Sequence, residues 1–281
     1  MRYLVTGGAG FVGSHLVDQL VLQGHEVIVW DDFTTGRKEN RNPKASYYAI
    51  GVESISPQYH DKKYDAIFHL AGEARIQPSF LKPLSVHESN VTGTAKMLEL
   101  ARLQRCRFVY AGSSSVYHDM FANPYSFSKQ IAEHYCTLYH RIYGVPVAIA
   151  RFFNVYGPRQ LEEGAYATVI GVFEKQKRDN TPLTITGNGE QRRDFTHVLD
   201  IVDGLIGMVE EDHQADIYNL GTGTNHSINE VAALFKHPKQ YIPKRPGEAW
   251  TTLADISLSK QRLGYEPKRK LVDYVESLEG N

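Results

Sequence analysis

A glycine-rich segment near the amino terminus constrains the fold of this chain more than any other feature. Residues 3–5 are an apolar run, and Thr6–Gly13 follow with the sequence Thr-Gly-Gly-Ala-Gly-Phe-Val-Gly. Apolar residues then recur with helical spacing until Gly24. This order predicts a strand, a tight turn and a helix. A chain that begins in this way is expected to build a parallel sheet around its first strand.

Further strands and helices alternate over the first 150 residues. Continuous apolar runs are typical of strands that are covered on both faces. The pattern therefore predicts the α/β class, with a Rossmann-type doubly wound parallel sheet. The predicted strands lie at 27–30, 66–68, 108–110 and 147–149, and the predicted helices lie near 89–104 and 125–143.

The regular alternation ends after Arg151, where stretches that contain glycine and proline begin. We predict a smaller, mixed α/β substrate-binding region there, because long loops on a rigid scaffold usually carry substrate contacts. The predicted first domain covers 1–153 and is completed by about 197–220, since 200–209 has a helical pattern that returns to it. The predicted second region covers 154–196 and 221–281.

Composition excludes several classes of function. The net charge is −1, so no basic field is available for nucleic acid or an acidic membrane surface. No apolar stretch approaches the roughly twenty residues of a membrane span, and the first strand begins at residue 2. Cys106 and Cys136 match neither a metal site nor a disulfide framework. We expect a soluble, cytoplasmic protein without a metal, with both thiols buried.

The glycine spacing predicts a dinucleotide site. Gly7, Gly10 and Gly13 would let backbone N–H groups and a helix N-terminus approach a pyrophosphate. Asp31 lies 18 residues after Gly13, where a carboxylate can accept hydrogen bonds from ribose hydroxyls. NAD is therefore the predicted cofactor. Arg37 leaves NADP open, because a nearby arginine can accommodate its 2′-phosphate.

A second motif predicts proton transfer. Tyr125 and Lys129 are four residues apart on a predicted helix and share one face. A free tyrosine has a pKa of about 10, and both a neighbouring ammonium and a nicotinamide ring favour its phenolate. Ser113, at a strand end, can hydrogen-bond the same substrate hydroxyl. The three residues indicate hydride transfer at a carbinol carbon, with Tyr125 as acid and base.

With these residues assembled, the chain resembles the extended short-chain dehydrogenase/reductase family, and within it the NAD-dependent epimerase/dehydratase group acting on nucleotide sugars. The resemblance covers nearly the whole chain. It is carried by Thr6–Gly13, His69–Gly72, Asn90–Thr94, the serines at 113–115, Tyr125-x-x-x-Lys129, Arg151–Gln160, Gly187–Phe195 and Arg245–Glu248.

The resemblance implies a mechanism and a set of binding residues. Bound NAD would oxidise the sugar at C4, and hydride would return to the other face of the 4-keto sugar. The implied cofactor contacts are Gly7, Gly10, Phe11, Val12, Gly13, Asp31, Asp32, Leu70, Ala71, Gly72, Asn90, Tyr125 and Lys129. The implied contacts with a UDP-sugar are Ser113, Ser114, Asn154, Val169, Arg193, Arg245, Glu248 and Thr252. Asn154, Arg193 and Arg245 would meet the diphosphate, and Glu248 the uridine ribose.

Four positions bear on the reaction within this group. Relatives that dehydrate or decarboxylate carry an acid where this chain has Ser115, and Ser114 stands beside it instead of an aspartate. Uronate-specific epimerases usually carry threonine in place of Asn154. Thr252 is small where a bulky gate restricts relatives to glucose and galactose. The resemblance thus implies 4-epimerisation of UDP-glucose and UDP-galactose, and acceptance of UDP-GlcNAc and UDP-GalNAc.

Some alternatives stay open at this point. A net oxidoreductase acting on a nucleotide-keto sugar, another nucleotide-sugar epimerase and a non-catalytic NAD-binding regulator fit the same motifs. Only 11 residues separate Ser113 from Tyr125, where the family usually has a longer loop over the sugar, and His118 replaces a glycine. Val52 replaces an aspartate that commonly contacts adenine. The resemblance implies a homodimer through the helices near 89–104 and 125–143, although the sheet could equally cover their apolar faces.

Overall fold

The structure is a computed structural model that describes residues 1–59, 62–210 and 213–278. Its strands are β1 (Arg2–Thr6), β2 (Glu26–Asp31), β3 (Ser46–Ala49), β4 (Ala66–His69), β5 (Arg107–Ser113), β6 (Val147–Phe152), β7 (Val155–Tyr156), β8 (Leu183–Thr186), β9 (Arg192–Arg193), β10 (Thr196–His197), β11 (Gln214–Leu220), β12 (His226–Ser227) and β13 (Lys239–Ile242). Its helices are α1 (Phe11–Leu22), α2 (Ile76–Leu81), α3 (Pro83–His87), α4 (Gly93–Gln104), α5 (Pro124–Tyr143), α6 (Val169–Arg178), α7 (Val198–Gly207), α8 (Ile228–Leu234), α9 (Ser257–Leu263) and α10 (Leu271–Ser277).

Seven strands form a central parallel sheet in the order β11-β6-β5-β4-β1-β2-β3. The chain starts in the middle at β1, builds outward to β3, and then crosses back to β4, β5 and β6. This reversal beside β1 is the switch point at which doubly wound sheets bind ligands, beyond the carboxyl ends of the strands. The predicted fold class is confirmed.

The alternation of side chains along β1 separates two cores. Tyr3 and Val5 pack on one face with α1 and α7, whereas Leu4 packs on the other face with α4 and α5. The inner strands are thus covered on both sides, which explains their continuous apolar sequences. Cys106 and Cys136 are free thiols buried in the second of these cores, as expected.

A third apolar cluster lies outside the central sheet. It joins β8, α6, α8 and α10 through side chains such as Phe173, Ile185, Phe235 and Val275. Two-stranded pairs, β8 with β13 and β9 with β12, frame this part of the molecule. The helix predicted near 200–209 is α7, and it packs against α1 in the first core. The domain boundaries given above remain predictions.

Two strands and one helix differ from the sequence-based expectations. The edge strands β3 and β11 carried no clear apolar run, because β3 is mostly exposed and β11 contains a bulge at Ala215 with a φ of +58°. The helix predicted near 89–104 begins earlier, at Pro83, and passes through a π-helical turn over Glu88–Thr92 before α4. Among the described residues, no helix is long and apolar enough to cross a membrane.

Candidate active site

A cavity of about 1380 Å³ opens at the carboxyl edge of the central sheet. It runs from the glycine loop after β1, past the ends of β4 and β5, to the loops around β9 and β13. Every residue predicted to contact cofactor or substrate lies in its wall except Asn90. The tertiary structure therefore brings the separate sequence motifs to one continuous site.

The glycine loop is packed too tightly for side chains at two positions. Gly7 has a φ of +71°, and a Cβ there would lie 2.8 Å from the backbone nitrogen of Ala71. A Cβ at Gly13 would overlap the carbonyl oxygen of Gly7. Helix α1 then starts at Phe11 without a side-chain cap, which leaves its first N–H groups available to an anion. This cradle fits the pyrophosphate of a dinucleotide.

Asp31 ends β2 at the edge of the same cradle. Its Oδ2 atom accepts a hydrogen bond from the Ala9 N–H at 2.8 Å, and its Oδ1 atom accepts one from the Phe33 N–H at 2.8 Å. Burial raises the pKa of this carboxyl, and the two backbone hydrogen bonds oppose that shift. Each oxygen keeps a second lone pair. The carboxylate is thus held in place as an acceptor for ribose hydroxyls, which fits the predicted adenosine end of NAD.

The start of α5 positions the proton-transfer residue. The Asn123 side chain accepts a hydrogen bond from the Ser126 N–H at 2.8 Å, and Pro124 occupies the first helical turn. These are favoured residues at a helix start, and they place Tyr125 beside the end of β5, where Ser113 lies. Tyr125, Lys129 and Ser113 all line the cavity.

Lys129 is buried behind Tyr125. Its Nζ atom donates a hydrogen bond to the Ala111 carbonyl oxygen at 2.9 Å and lies 5.1 Å from the centroid of the Tyr110 ring. Burial lowers the pKa of Lys129 to about 8, although the Glu133 carboxylate opposes this shift. The ammonium is therefore anchored to the sheet at the inner end of the cavity.

The hydroxyl of Tyr125 is enclosed by the protein. Burial raises the pKa of this hydroxyl, and interactions with the Ser113 hydroxyl and then the Arg75 guanidinium oppose the shift. Desolvation of the phenolate outweighs these favourable interactions. The expectation that the Lys129 ammonium and the nicotinamide ring together favour the phenolate stays a prediction.

A buried ion pair between Arg151 and Glu133 lies next to the site. The Nη2 atom of Arg151 lies 2.6 Å from Oε2 of Glu133, and the two side chains are 15% and 6% exposed. The Arg151 guanidinium also stacks over the ring of Tyr117 at 4.6 Å. Since a buried carboxylate without a partner is costly, Arg151 both retains Glu133 and compensates its negative charge near Tyr125.

The opposite end of the cavity carries two arginines. Arg193 is largely buried, and burial lowers its pKa, while Glu248, 3.9 Å away, opposes the shift. Its Nη1 atom donates to the carbonyl oxygens of Arg192 at 2.9 Å and Trp250 at 3.3 Å. Arg245 is exposed in the same wall. A pair of guanidinium groups at the mouth of a cleft fits a diphosphate.

Comparison with known proteins agrees with this geometry. The sequence model of the NAD dependent epimerase/dehydratase family matches residues 3–221. This chain belongs to that family. Membership of this family confirms NAD as the cofactor. It also identifies the chain as a member of a family of enzymes that act on nucleotide sugars.

The relatives of this chain are named for different reactions. UDP-glucuronic acid decarboxylase 1 of Arabidopsis thaliana is 38% identical over 300 residues, which cover 96% of this chain and 67% of that enzyme. The UDP-glucose 4-epimerase of Thermotoga maritima, solved with UDP-glucose, has a TM-score of 0.91 at 30% identity and covers 99% of this chain and 98% of its own. The UDP-glucuronic acid 4-epimerase of Bacillus cereus, solved with UDP-glucuronic acid and NAD, has a TM-score of 0.90 at 28% identity. The match covers 100% of this chain and 98% of that epimerase.

Asn90 is predicted to contact the cofactor, but it is not among the residues that line the cavity. It lies in the π-helical turn and is 1% exposed. Its Nδ2 atom donates to the Glu73 carbonyl oxygen and to Ser128 Oγ, both at 3.0 Å. A Cβ at Gly72 would lie 2.7 Å from its Oδ1 atom. Asn90 therefore packs under the loop after β4, and its buried Oδ1 atom has no hydrogen-bond partner among the described residues. Its predicted contact with the cofactor stays a prediction.

Asn154 and Thr252 are joined to each other in the cavity wall. The Asn154 Nδ2 atom donates to the Asp194 carbonyl oxygen at 3.1 Å and to Thr252 Oγ1 at 3.0 Å. Both N–H groups of the amide are thus engaged within the protein. If the predicted contact of Asn154 with the diphosphate is made through Nδ2, it would replace one of these bonds.

The short segment before Tyr125 is ordered around two 3₁₀ turns, Ser114–Tyr117 and Met120–Ala122. Ser114, Ser115 and His118 from this segment line the cavity. Burial and the nearby Arg193 guanidinium lower the pKa of His118. The 11 residues between Ser113 and Tyr125 thus form a compact segment of the cavity wall.

Proposed function

We propose that this protein is an NAD-dependent 4-epimerase that interconverts UDP-glucose and UDP-galactose and also accepts UDP-GlcNAc and UDP-GalNAc. One observation carries the proposal. A single cavity joins the dinucleotide cradle, the Ser113 and Tyr125 hydroxyls and the two arginines, with serines at 114 and 115 where elimination chemistry would need an acid.

In this proposal, Tyr125 takes the proton of the sugar 4-hydroxyl and later returns it to the same oxygen, while the hydride would return to the opposite face of C4. Ser113 hydrogen-bonds the same oxygen and orients it. The chemistry that NAD supplies here is the reversible acceptance of a hydride. Arg193 and Arg245 bind the diphosphate, which leaves the sugar free to turn between the two transfers. Proton and hydride both return to the sugar, so there is no net redox change.

The serine run favours epimerisation over decarboxylation or dehydration. Ser115 and Ser114 line the cavity directly beside Ser113. A serine hydroxyl does not titrate in the physiological range and cannot replace a carboxylate as acid or base. The decarboxylase relative shares more of the sequence, but overall identity is spread over the whole fold, whereas the reaction depends on a few groups in the site.

The deciding experiment incubates the purified protein with UDP-galactose or with UDP-GalNAc, without added cofactor, and separates the sugar epimers. We expect both to epimerise. If protein that carries NAD epimerises neither UDP-galactose nor UDP-GalNAc, the proposal is contradicted. Stoichiometric consumption of added NADH would favour a net oxidoreductase, and release of CO₂ from UDP-glucuronic acid would favour a decarboxylase.

Enlarging Thr252 should separate the two substrate pairs. Thr252 is 9% exposed in the cavity wall, so a tyrosine there would occupy space that an acetamido group needs. We expect Thr252→Tyr to lower kcat/KM for UDP-GalNAc by about 10- to 200-fold and to affect UDP-galactose much less. Steady-state kinetics with both substrates measures this ratio.

Thr252→Val is the matched control, because it removes the hydroxyl that accepts from Asn154 and keeps the volume. A ratio that changes equally in Thr252→Val and Thr252→Tyr would show that the hydrogen bond, and not the bulk of the side chain, sets the selectivity. An unchanged ratio in Thr252→Tyr would disprove the gate.

We also propose a homodimer through α4 and α5. Helix α5 leaves Leu138, Ile142 and Tyr143 48%, 64% and 53% exposed, and Leu103 at the end of α4 is 41% exposed. Exposed apolar side chains grouped on adjacent helices favour a protein contact. Analytical ultracentrifugation of the wild-type protein and of Ile142→Glu tests this assembly.

A further inference from the structure

The connection between β7 and α6, residues 157–168, is attached to α1 near its start, and we call it the β7–α6 segment. The Nε2 atom of His15 lies 2.8 Å from the Pro158 carbonyl oxygen, and the Nη1 atom of Arg159 lies 2.8 Å from Oδ2 of Asp18. Both contacts are made on the helix that follows the glycine loop. The start of the segment is therefore fixed beside the dinucleotide cradle.

The β7–α6 segment is attached to the loop after β4 near its other end. The Tyr166 hydroxyl donates to Oε2 of Glu73 at 3.1 Å, and the Nε atom of Arg75 donates to the Tyr166 carbonyl oxygen at 3.1 Å. Burial and the Glu73 carboxylate raise the pKa of Tyr166 to about 12, so this hydroxyl stays protonated and acts as the donor. These two contacts join residues that are 93 and 91 positions apart in the chain.

The loop after β4 presents Glu73 in a fixed position. The Nδ2 atom of Asn90 donates to the Glu73 carbonyl oxygen at 3.0 Å, and the Ser85 hydroxyl donates to Oε1 of the same residue. The backbone at Arg75 has a φ of +104°, a strained value that persists only where the surroundings hold it. The acceptor of the Tyr166 hydroxyl is thus held by the loop itself.

The loop after β4 also connects the pyrophosphate cradle with the proton-transfer residues. At one end, a Cβ on Gly7 would lie 2.8 Å from the backbone nitrogen of Ala71. At the other end, a Cβ on Gly72 would lie 3.6 Å from Nζ of Lys129, on the helix that carries Tyr125. A dinucleotide that uses both ends has to extend along this loop. The cradle therefore lies between the two attachments of the β7–α6 segment, one on α1 and one on this loop.

We propose that the β7–α6 segment crosses over bound NAD, and that Tyr166 is a positioning residue that holds the segment there through Glu73. Residues 161 and 164–168 of the segment line the cavity, which places them next to a dinucleotide bound in it. Release of NAD then requires the hydrogen bond to Glu73 to break, which slows exchange of the cofactor. This role concerns the cofactor and does not depend on which nucleotide sugar the protein converts.

The direct test measures the rate at which bound NAD exchanges. Protein loaded with NAD is mixed with an excess of ¹³C-labelled NAD, and the nucleotide that stays bound is analysed by mass spectrometry over time. Tyr166→Phe removes the donor hydroxyl and should raise the exchange rate by about 3- to 30-fold, as expected for loss of one hydrogen bond to a charged acceptor. Tyr241→Phe makes the same change in an exposed side chain outside the cavity wall and should leave the rate unchanged.

Changes at Glu73 test the same hydrogen bond from the acceptor side. Glu73→Met removes the acceptor and should accelerate exchange as much as Tyr166→Phe does. Glu73→Gln keeps an acceptor oxygen, so its exchange rate should lie between those of the wild type and Glu73→Met. The double variant Tyr166→Phe/Glu73→Met should exchange NAD no faster than either single variant, because the two changes remove one shared bond. Glu73→Met decides the proposal if Tyr166→Phe does not fold.

Two results would overturn the proposal. One is an NAD exchange rate that is the same in wild type, Tyr166→Phe and Glu73→Met; a raised KM for UDP-galactose in that case would make Tyr166 a substrate contact. The other is an additive acceleration in the double variant, which would show that the two side chains act separately. Absence of epimerisation by the wild type would contradict the proposed function alone, because the exchange measurement requires no turnover.

Discussion

Replacing Tyr125 by phenylalanine is expected to lower kcat for epimerisation by about 10²–10⁴-fold, the range typical for loss of a general acid or base. The change removes one oxygen from the cavity wall. Ser113 can still hydrogen-bond the sugar hydroxyl, but a serine does not accept and hold the proton near neutral pH. Steady-state kinetics with UDP-galactose measures the loss, and the NAD content of the purified variant should match that of the wild type.

Tyr241→Phe is the matched control for this experiment. It makes the same chemical change in a side chain that is 55% exposed, donates to Asn229 at 3.1 Å and lies outside the cavity wall. Its kcat should stay within about twofold of the wild type, as surface changes usually have small effects. Wild-type turnover in Tyr125→Phe would remove Tyr125 from the mechanism, and equal losses in both variants would indicate a general effect on folding.

Replacing Gly13 by alanine is expected to abolish retention of NAD. The added methyl would overlap the carbonyl oxygen of Gly7, and its next neighbours are also backbone atoms of the loop. Backbone cannot rotate away as a flexible side chain can, so the loop that should cradle the pyrophosphate must shift. We expect protein without bound nucleotide and a free energy of unfolding lowered by about 1–3 kcal/mol. Chromatography of nucleotide released from denatured protein and thermal unfolding provide the two measurements.

Gly207→Ala is the control for the added methyl group. Gly207 lies in α7, and the nearest atoms to a Cβ there are 3.6 Å away, at ordinary contact distance. Alanine favours a helix by about 0.8–1.0 kcal/mol over glycine, so this variant should retain NAD and be at least as stable. Full NAD retention by Gly13→Ala would contradict the proposed role of the loop.

Several parts of the site could be predicted because the relevant information is local in sequence. The glycine spacing and the helical pattern after it predicted the turn before α1. The interval between Tyr125 and Lys129 predicted that both side chains would share one face of α5. The end of each apolar run located Asp31 and Ser113, since parallel strands bring their carboxyl ends to one edge.

Other parts depend on contacts that are distant in sequence. Asn90 belongs to a recognisable block, but a π-helical turn and its hydrogen bonds to Glu73 and Ser128 hold it under the loop after β4. Arg75 belongs to no motif, and the carbonyl oxygen that anchors it lies 91 residues further along the chain. The pKa of Tyr125 could not be predicted either, because desolvation depends on all the elements that enclose it.

Local sequence patterns were sufficient to predict the fold class, the family, the dinucleotide loop and the pair of residues on α5, because turn geometry and helical periodicity are properties of neighbouring residues. The charges that surround Tyr125, and the set of predicted residues that line the cavity, depend on how distant parts of the chain pack together. Electrostatic interactions depend on separation and burial in space, and these are set when strands and loops far apart in the chain pack together.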